Sequence, residues 1–224
     1  MVLSARSSAA RLQRFQVLPG GLAPQPDQPQ RAAPVGRALS VAAVSGRFVE
    51  LSGVGGAPVL SLALALVAEA QLDNENVVWI GARDGTFFAP DADRLGIDLT
   101  ALPIIACHTQ PDPVLAAGRA ASHLMRSGAF GLVVLDLPGD AELPLPLQSR
   151  LTGLAQKYGI ALLALTEKPA DQPSLGSLVS LHGQVRCGPI TRGVADVTVD
   201  VIKDKRHGPG WSHLERFRAP AGLA

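Results

Sequence analysis

The chain has 224 residues, 47% hydrophobic and 17% charged, with a formal net charge of +1. That length and composition suit one α/β domain with a sizeable core. A charge so near neutral excludes the global basic field that holds nucleic acid without sequence preference, and the longest apolar run, residues 58–68, is too short to span a bilayer.

Residues 1–34 read as an arm preceding a domain of residues 35–224. Its first part has Leu12, Phe15 and Leu18 on one face of a short helix, and residues 20–34 form a Pro/Gln linker. The residues near Met1 mix arginines with short apolar pieces and lack the compact apolar core of a leader, so a soluble, cytoplasmic protein with no membrane partner is expected. Residues 47–52 form a strand, and Gly53-Val54-Gly55-Gly56 reverses the chain. Pro58 stands at the first turn of a Leu/Ala-rich helix over 59–71, apolar on nearly every side and therefore buried on a sheet. A polar exit at 73–76 leads into Val77-Val78-Trp79-Ile80, a continuous apolar strand of the kind covered on both faces.

A helix follows over 89–100, ending at Gly96, then a strand at 104–107. Asp112 caps a helix over 113–127, residues 131–136 are a buried strand, 147–158 a helix and 160–165 the next central strand. This alternation predicts a parallel sheet with right-handed crossovers. From Val179 the rhythm changes. Residues 179–186 and 195–203 alternate as antiparallel strands, Gly188-Pro189 and Arg192-Gly193 read as turns, and 213–218 adds an edge strand. Cys107 and Cys187 have no CxxC partner and read as buried free thiols in a reducing compartment.

A glycine turn between strand and helix is where a nucleotide-binding protein keeps its phosphate loop, GxxxxGK[ST]. Counted from Gly53, the second glycine position holds Pro58, the lysine position Val59 and the hydroxyl position Leu60. A backbone donor, the cation and the metal ligand are lost together, so Gly53, Gly55 and Gly56 form only the vestige of a cradle.

Five ordered segments carry a resemblance to the RecA recombinase family. GRFVELSG, from Gly46, resembles the family's GRIVEIYG, and residues 91–99 resemble ARKLGVDID. Thr109-Gln-Pro-Asp112 resembles SQPD, residues 126–136 (RSGAFGLVVLD) resemble RSGAVDVIVVDS, and VTVDVIKDK (197–205) is similar to VKVVKNK. The resemblance implies a RecA-like core with a mostly parallel central sheet, helices on both faces and antiparallel strands near the C-terminus. It also shows what has changed. The position of the carboxylate that orients the attacking water is Arg83, a cation that cannot accept a proton. Asp136 keeps the place of the metal-bridging acid, with little left to bridge, and Arg83 is its expected pairing partner. The two loops that hold DNA in recombinases are here 137–146, with Asp140 and Glu142 and no cation, and 167–176, with one lysine and no aromatic. Weak binding of single-stranded DNA follows. The five histidines show no ligand spacing and no GxSxG elbow is present, so no catalytic residue, metal or cofactor is expected.

Small RecA-like chains with a degenerate phosphate loop include the ImuA group, accessory factors of mutagenic translesion synthesis, and the SulA-like inhibitors of cell division. By resemblance, the first implies partners in RecA itself, in ImuB and in an error-prone polymerase. The second implies binding of the tubulin-like division protein, and a RecA-family ATPase with an unconventional loop is the third alternative. The residues expected to meet partners are Leu12, Phe15 and Leu18 of the arm and the basic cluster Lys203, Lys205 and Arg206. Without ATP at its interfaces, a homofilament is disfavoured.

Overall fold

The computed structural model describes residues 38–54 and 58–218. Leu12, Phe15, Leu18, Gly55 and Gly56 therefore lie outside the described residues, as does the arm. Within them runs an eight-stranded sheet in the order β3-β2-β4-β5-β1-β6-β7-β8. The strands are β1 (Phe48–Ser52), β2 (Val77–Gly81), β3 (Ile104–Ala106), β4 (Leu132–Asp136), β5 (Ala161–Thr166), β6 (Leu181–Thr191), β7 (Val194–Asp204) and β8 (Ser212–Arg218). The first six pair in parallel, and β6-β7-β8 are antiparallel.

Side-chain alternation splits the core into two layers. Val49, Leu51, Val77, Trp79, Val134 and Leu163 face α1 (Val41–Val44) and α2 (Val59–Leu72). Phe48, Val78, Ile80, Val133, Leu135 and Leu162 face α4 (Pro113–Met125) and α5 (Leu145–Tyr158). β1, β2, β4 and β5 are buried along their whole length, which is why they read as unbroken apolar runs. α2 is buried on most of its circumference, from Val59 through Ala70. Asp112 caps α4, its carboxylate accepting from the Leu115 N–H at 2.9 Å. Gly159 at φ +69 ends α5 in the left-handed conformation that a side chain disfavours.

Four expectations need correction. The helix over 89–100 is a six-residue α3 (Ala89–Arg94) followed by a separate 3-10 turn at Leu99–Ala101, because Gly96 at φ +76 breaks the path between them. Gly188-Pro189 is no turn but an irregularity inside β6, where the register shifts between Cys187 and Ile190; the reversal is made by Arg192 (φ 53) and Gly193 (φ 72) alone. β6 starts at Leu181 rather than Val179 and is parallel to β1 on one side while antiparallel to β7 on the other. Cys107 is buried, and burial pushes its thiol pKa up, but Cys187 is exposed. β1 pairs with β6 only as far as Gln184; Val185 still lies in the core, and from Arg186 onward β6 runs beyond it.

Candidate functional site

In parallel α/β sheets ligands lie beyond the carboxyl ends of the strands. Here that edge gathers the ends of β1, β4 and β5. At the glycine turn after β1, the Gly53 N–H donates to the Thr166 carbonyl at 3.3 Å and so extends the β1–β5 ladder. Val59 is buried at the first turn of α2, behind Pro58, which offers no side-chain cap.

Parallel pairing aligns Gly81 of β2 with Asp136 of β4, which places Arg83, two residues on, over the carboxylate. Arg83 donates from Nε at 2.8 Å and from Nη2 at 2.5 Å to the same oxygen, Oδ1. Thr86 donates its hydroxyl to Oδ2. Arg83 also reaches Glu167 Oε2 at 3.5 Å. Asp136 is fully buried, and each of its oxygens has a donor. With Val59 and Leu60 at the cation and hydroxyl positions, this donor set does not fit a magnesium-bound triphosphate. The pairing of Asp136 with Arg83 is legible in the sequence; the part of Thr86 is not. Asp84, by contrast, is exposed and lies 3.7 Å from His108.

A second polar cluster was missed in the sequence. Glu50, at the centre of β1, has no exposed surface. Its Oε1 accepts from the Thr166 hydroxyl at 3.0 Å and pairs with Lys168 Nζ at 2.5 Å; its Oε2 accepts from the Leu175 N–H at 2.8 Å. Lys168, itself 4% exposed, donates further to the Pro173 carbonyl. Two residues along β1, Ser52 donates to Gln184 Oε1 at 2.9 Å and lies 2.7 Å from His182 Nε2. A serine and a histidine at that distance suggest a nucleophile and its base. However, the serine proton is given to Gln184, and both side chains are buried away from any substrate. Burial lowers the His182 pKa; Glu50 opposes this, and Lys168 and Lys203 reinforce it. The pair therefore serves to hold β1 and β6 together. The single carboxylate inside FVELS was the signal that a buried counter-ion had to exist.

This cluster fixes the loop after β5. Lys203 Nζ donates to the Gly176 carbonyl at 3.2 Å and the Ser174 hydroxyl at 3.4 Å, and Lys205 Nζ to the Ser177 carbonyl at 2.6 Å. Gln148 Nε2 donates to the carbonyls of Leu143 and Leu175 and so ties this loop to the one after β4. Burial and the neighbouring Lys205 lower the Lys203 pKa, with Glu50 acting against them. The Arg206 guanidinium points to the Ser45 carbonyl at 3.4 Å. The structure thus brings Lys203 and Lys205 together, but over the chain's own second loop. Between the two loops lies a cleft of about 320 Å³, lined by residues 139–143, Lys168 and residues 172–175. Among the described residues no group of His, Cys, Asp or Glu is arranged to hold a metal, and no helix is long and apolar enough to cross a membrane.

The strand order, the parallel core with helices on both faces and the antiparallel strands at its end define an α/β, RecA-like fold. The sequence relatives agree. The chain is 37% identical over 91 residues to Protein RecA of Cytophaga hutchinsonii, a stretch covering 41% of this chain and 24% of that protein. To Protein RecA of Fusobacterium nucleatum subsp. nucleatum it is 36% identical over 100 residues, 44% of this chain and 25% of that one. The chain thus spans about a quarter of the length of the curated relatives it matches. No family model matches it.

Proposed function

We propose that this chain is an accessory protein of the ImuA kind, which acts in mutagenic translesion synthesis by binding other proteins and not by hydrolysing ATP. Its partners in this reading are a RecA recombinase, ImuB and an error-prone polymerase. The observation that carries the reading is the commitment of Asp136: both oxygens of the one retained nucleotide-site acid are taken by Arg83 and Thr86. A RecA-like core in that state keeps the strands and surfaces of a recombinase subunit while its nucleotide edge is closed by its own side chains. The loop after β5, where a recombinase holds DNA, is tied to Glu50 and three lysines, which supports weak binding of single-stranded DNA.

Two measurements test this. Calorimetry with ATP and Mg²⁺ is expected to show no binding at millimolar concentration, where about −4 kcal/mol would suffice; a micromolar dissociation constant overturns the non-catalytic reading. Pull-down from cells after DNA damage is expected to recover RecA or ImuB. Recovery of neither, with the tubulin-like division protein recovered instead, replaces this reading with the division-inhibitor one.

A further inference from the structure

We propose that β8 is a self-pairing edge, through which two copies of this chain join into a closed two-fold dimer centred on Leu214. This inference is independent of the proposed function.

Among the described residues β8 is the last strand of the sheet, paired on one side only, with β7. It is seven residues long and contains no proline; of its charges, Arg216 and Arg218 lie on the outer face and Glu215 points inward, where a lone copy leaves it poorly paired. The Val201 N–H donates to the Trp211 carbonyl at 2.9 Å, and the ladder continues through Val199↔His213 and Val197↔Glu215. By the two-residue period, the main-chain groups of odd-numbered residues face β7, and those of Ser212, Leu214 and Arg216 face the open edge. Leu214 is 39% exposed on the uncovered face of the strand.

The side chains carry the choice of occupant. Glu215 is buried, and its Oε1 has no hydrogen-bond partner; its Oε2 has only His213 Nε2, at a long 3.5 Å. His213 Nδ1 accepts from the Leu39 N–H, so Nε2 bears the ring proton of the neutral imidazole. Antiparallel pairing with a second copy about Leu214 places His213 opposite the partner's Glu215 and Glu215 opposite the partner's His213. Each ring can then give its one N–H to the partner's Glu215, at the oxygen that lacks a donor, in place of the long contact within its own strand. The same register sets Leu214 against its own copy, Ser212 against Arg216, and Trp211 against Phe217, an aromatic pair of the kind that stabilises cross-strand contacts. Centring on Glu215 instead would set two carboxylates face to face, and centring on Arg216 two guanidiniums. Of these three registers, only the one about Leu214 sets no like charges face to face. Because the contact is isologous, it closes at two copies and builds no filament.

The test uses the full chain with Cys187→Ser, which removes the exposed thiol. Sedimentation is expected to show the mass of a dimer at protein concentrations on the order of 100 µM, as befits a contact of small area. In that background Leu214→Cys is expected to give a disulfide-linked dimer under mild oxidation, because residues facing across a hydrogen-bonded antiparallel pair have Cα atoms about 5.5 Å apart. Arg216→Cys is the register control: it would face residue 212, about 13 Å from its own copy, and is expected not to cross-link. A monomer mass throughout, or equal cross-linking at both positions, overturns the proposal. So does a dimer that survives Leu214→Lys.

Discussion

Replacing Lys168 by methionine keeps the length of the side chain and removes its charge. Glu50 then stays in place with no exposed surface, still accepting from Thr166 and the Leu175 N–H, but without its counter-ion at 2.5 Å. Removing one member of a buried ion pair leaves an uncompensated charge and costs about 3–5 kcal/mol, more than the pair itself contributes relative to apolar replacements. With a urea slope of about 2–3 kcal/mol per molar, the midpoint is expected to fall by about 1–2.5 M. Glu50→Gln added to Lys168→Met removes the stranded charge while leaving an acceptor for Thr166, so most of the loss should be recovered. Amide exchange adds a second readout: the Leu175 N–H, still held by Glu50 in the single variant, should lose protection only in step with the global stability. A midpoint within about 0.3 M of the parent would refute the reasoning, since it would mean that Glu50 is solvated or protonated where the structure buries it.

Three further outcomes are expected. Asp204 accepts from Arg47 at 2.6 Å, from Trp211 and from the Arg206 N–H. Burial pushes its carboxyl up, but the backbone donor, Arg47 and Trp211 outweigh it and hold the pKa well below the usual range. A depressed carboxylate contributes stability that is complete above its unfolded value, about 3.9, and is lost as pH falls toward the folded one. Asp204→Asn should therefore unfold at higher pH on acid titration, flatten the acid limb below about pH 4 and lose about 3–5 kcal/mol at neutral pH by stranding buried Arg47. His182, with its lowered pKa, is neutral in the folded chain, so stability is complete above its unfolded value of about 6.5 and falls as pH drops below it; His182→Gln should remove that slope in denaturation measured between pH 7 and 5. Gly139→Ala would set a methyl on the Glu167 carbonyl oxygen, a backbone atom that cannot turn aside. A loss of about 1–3 kcal/mol in thermal or urea unfolding is expected, and an unchanged midpoint would show that the two loops are not in contact.

The stretch from Gly46 to Gly85 was legible because its signals are local. An apolar run, a glycine turn and a Leu/Ala helix need no distant partner to be recognised, and β1, α2 and β2 stand within a residue or so of where they were expected. The Arg83–Asp136 pair was legible through the resemblance, which put both residues at the ends of neighbouring strands. Glu50, Lys168 and His182 were not, because their meeting depends on β1 lying between β5 and β6, and strand order is not written in the period of any one segment. Gly188-Pro189 shows the converse: a turn and an irregular strand use the same residues, and only the partner strand distinguishes them. Cys187 was expected inside because it sits in an alternating pattern, but β6 outruns the strand that would have covered it.

The position of β1 has a consequence for biosynthesis. Among the described residues this strand precedes all the others, yet both of its neighbours in the sheet lie far downstream, Thr166 standing 116 residues after Glu50. At about 5–20 residues per second, a ribosome needs roughly 6–23 s to bring β5 into being after β1 has left it. For that interval FVELS and the apolar helix behind it have emerged without the partners that finally enclose them, and the glutamate has no lysine. The nascent chain therefore offers a chaperone an apolar segment throughout that interval, and the sheet closes around β1 only once β6 has followed β5 out of the ribosome.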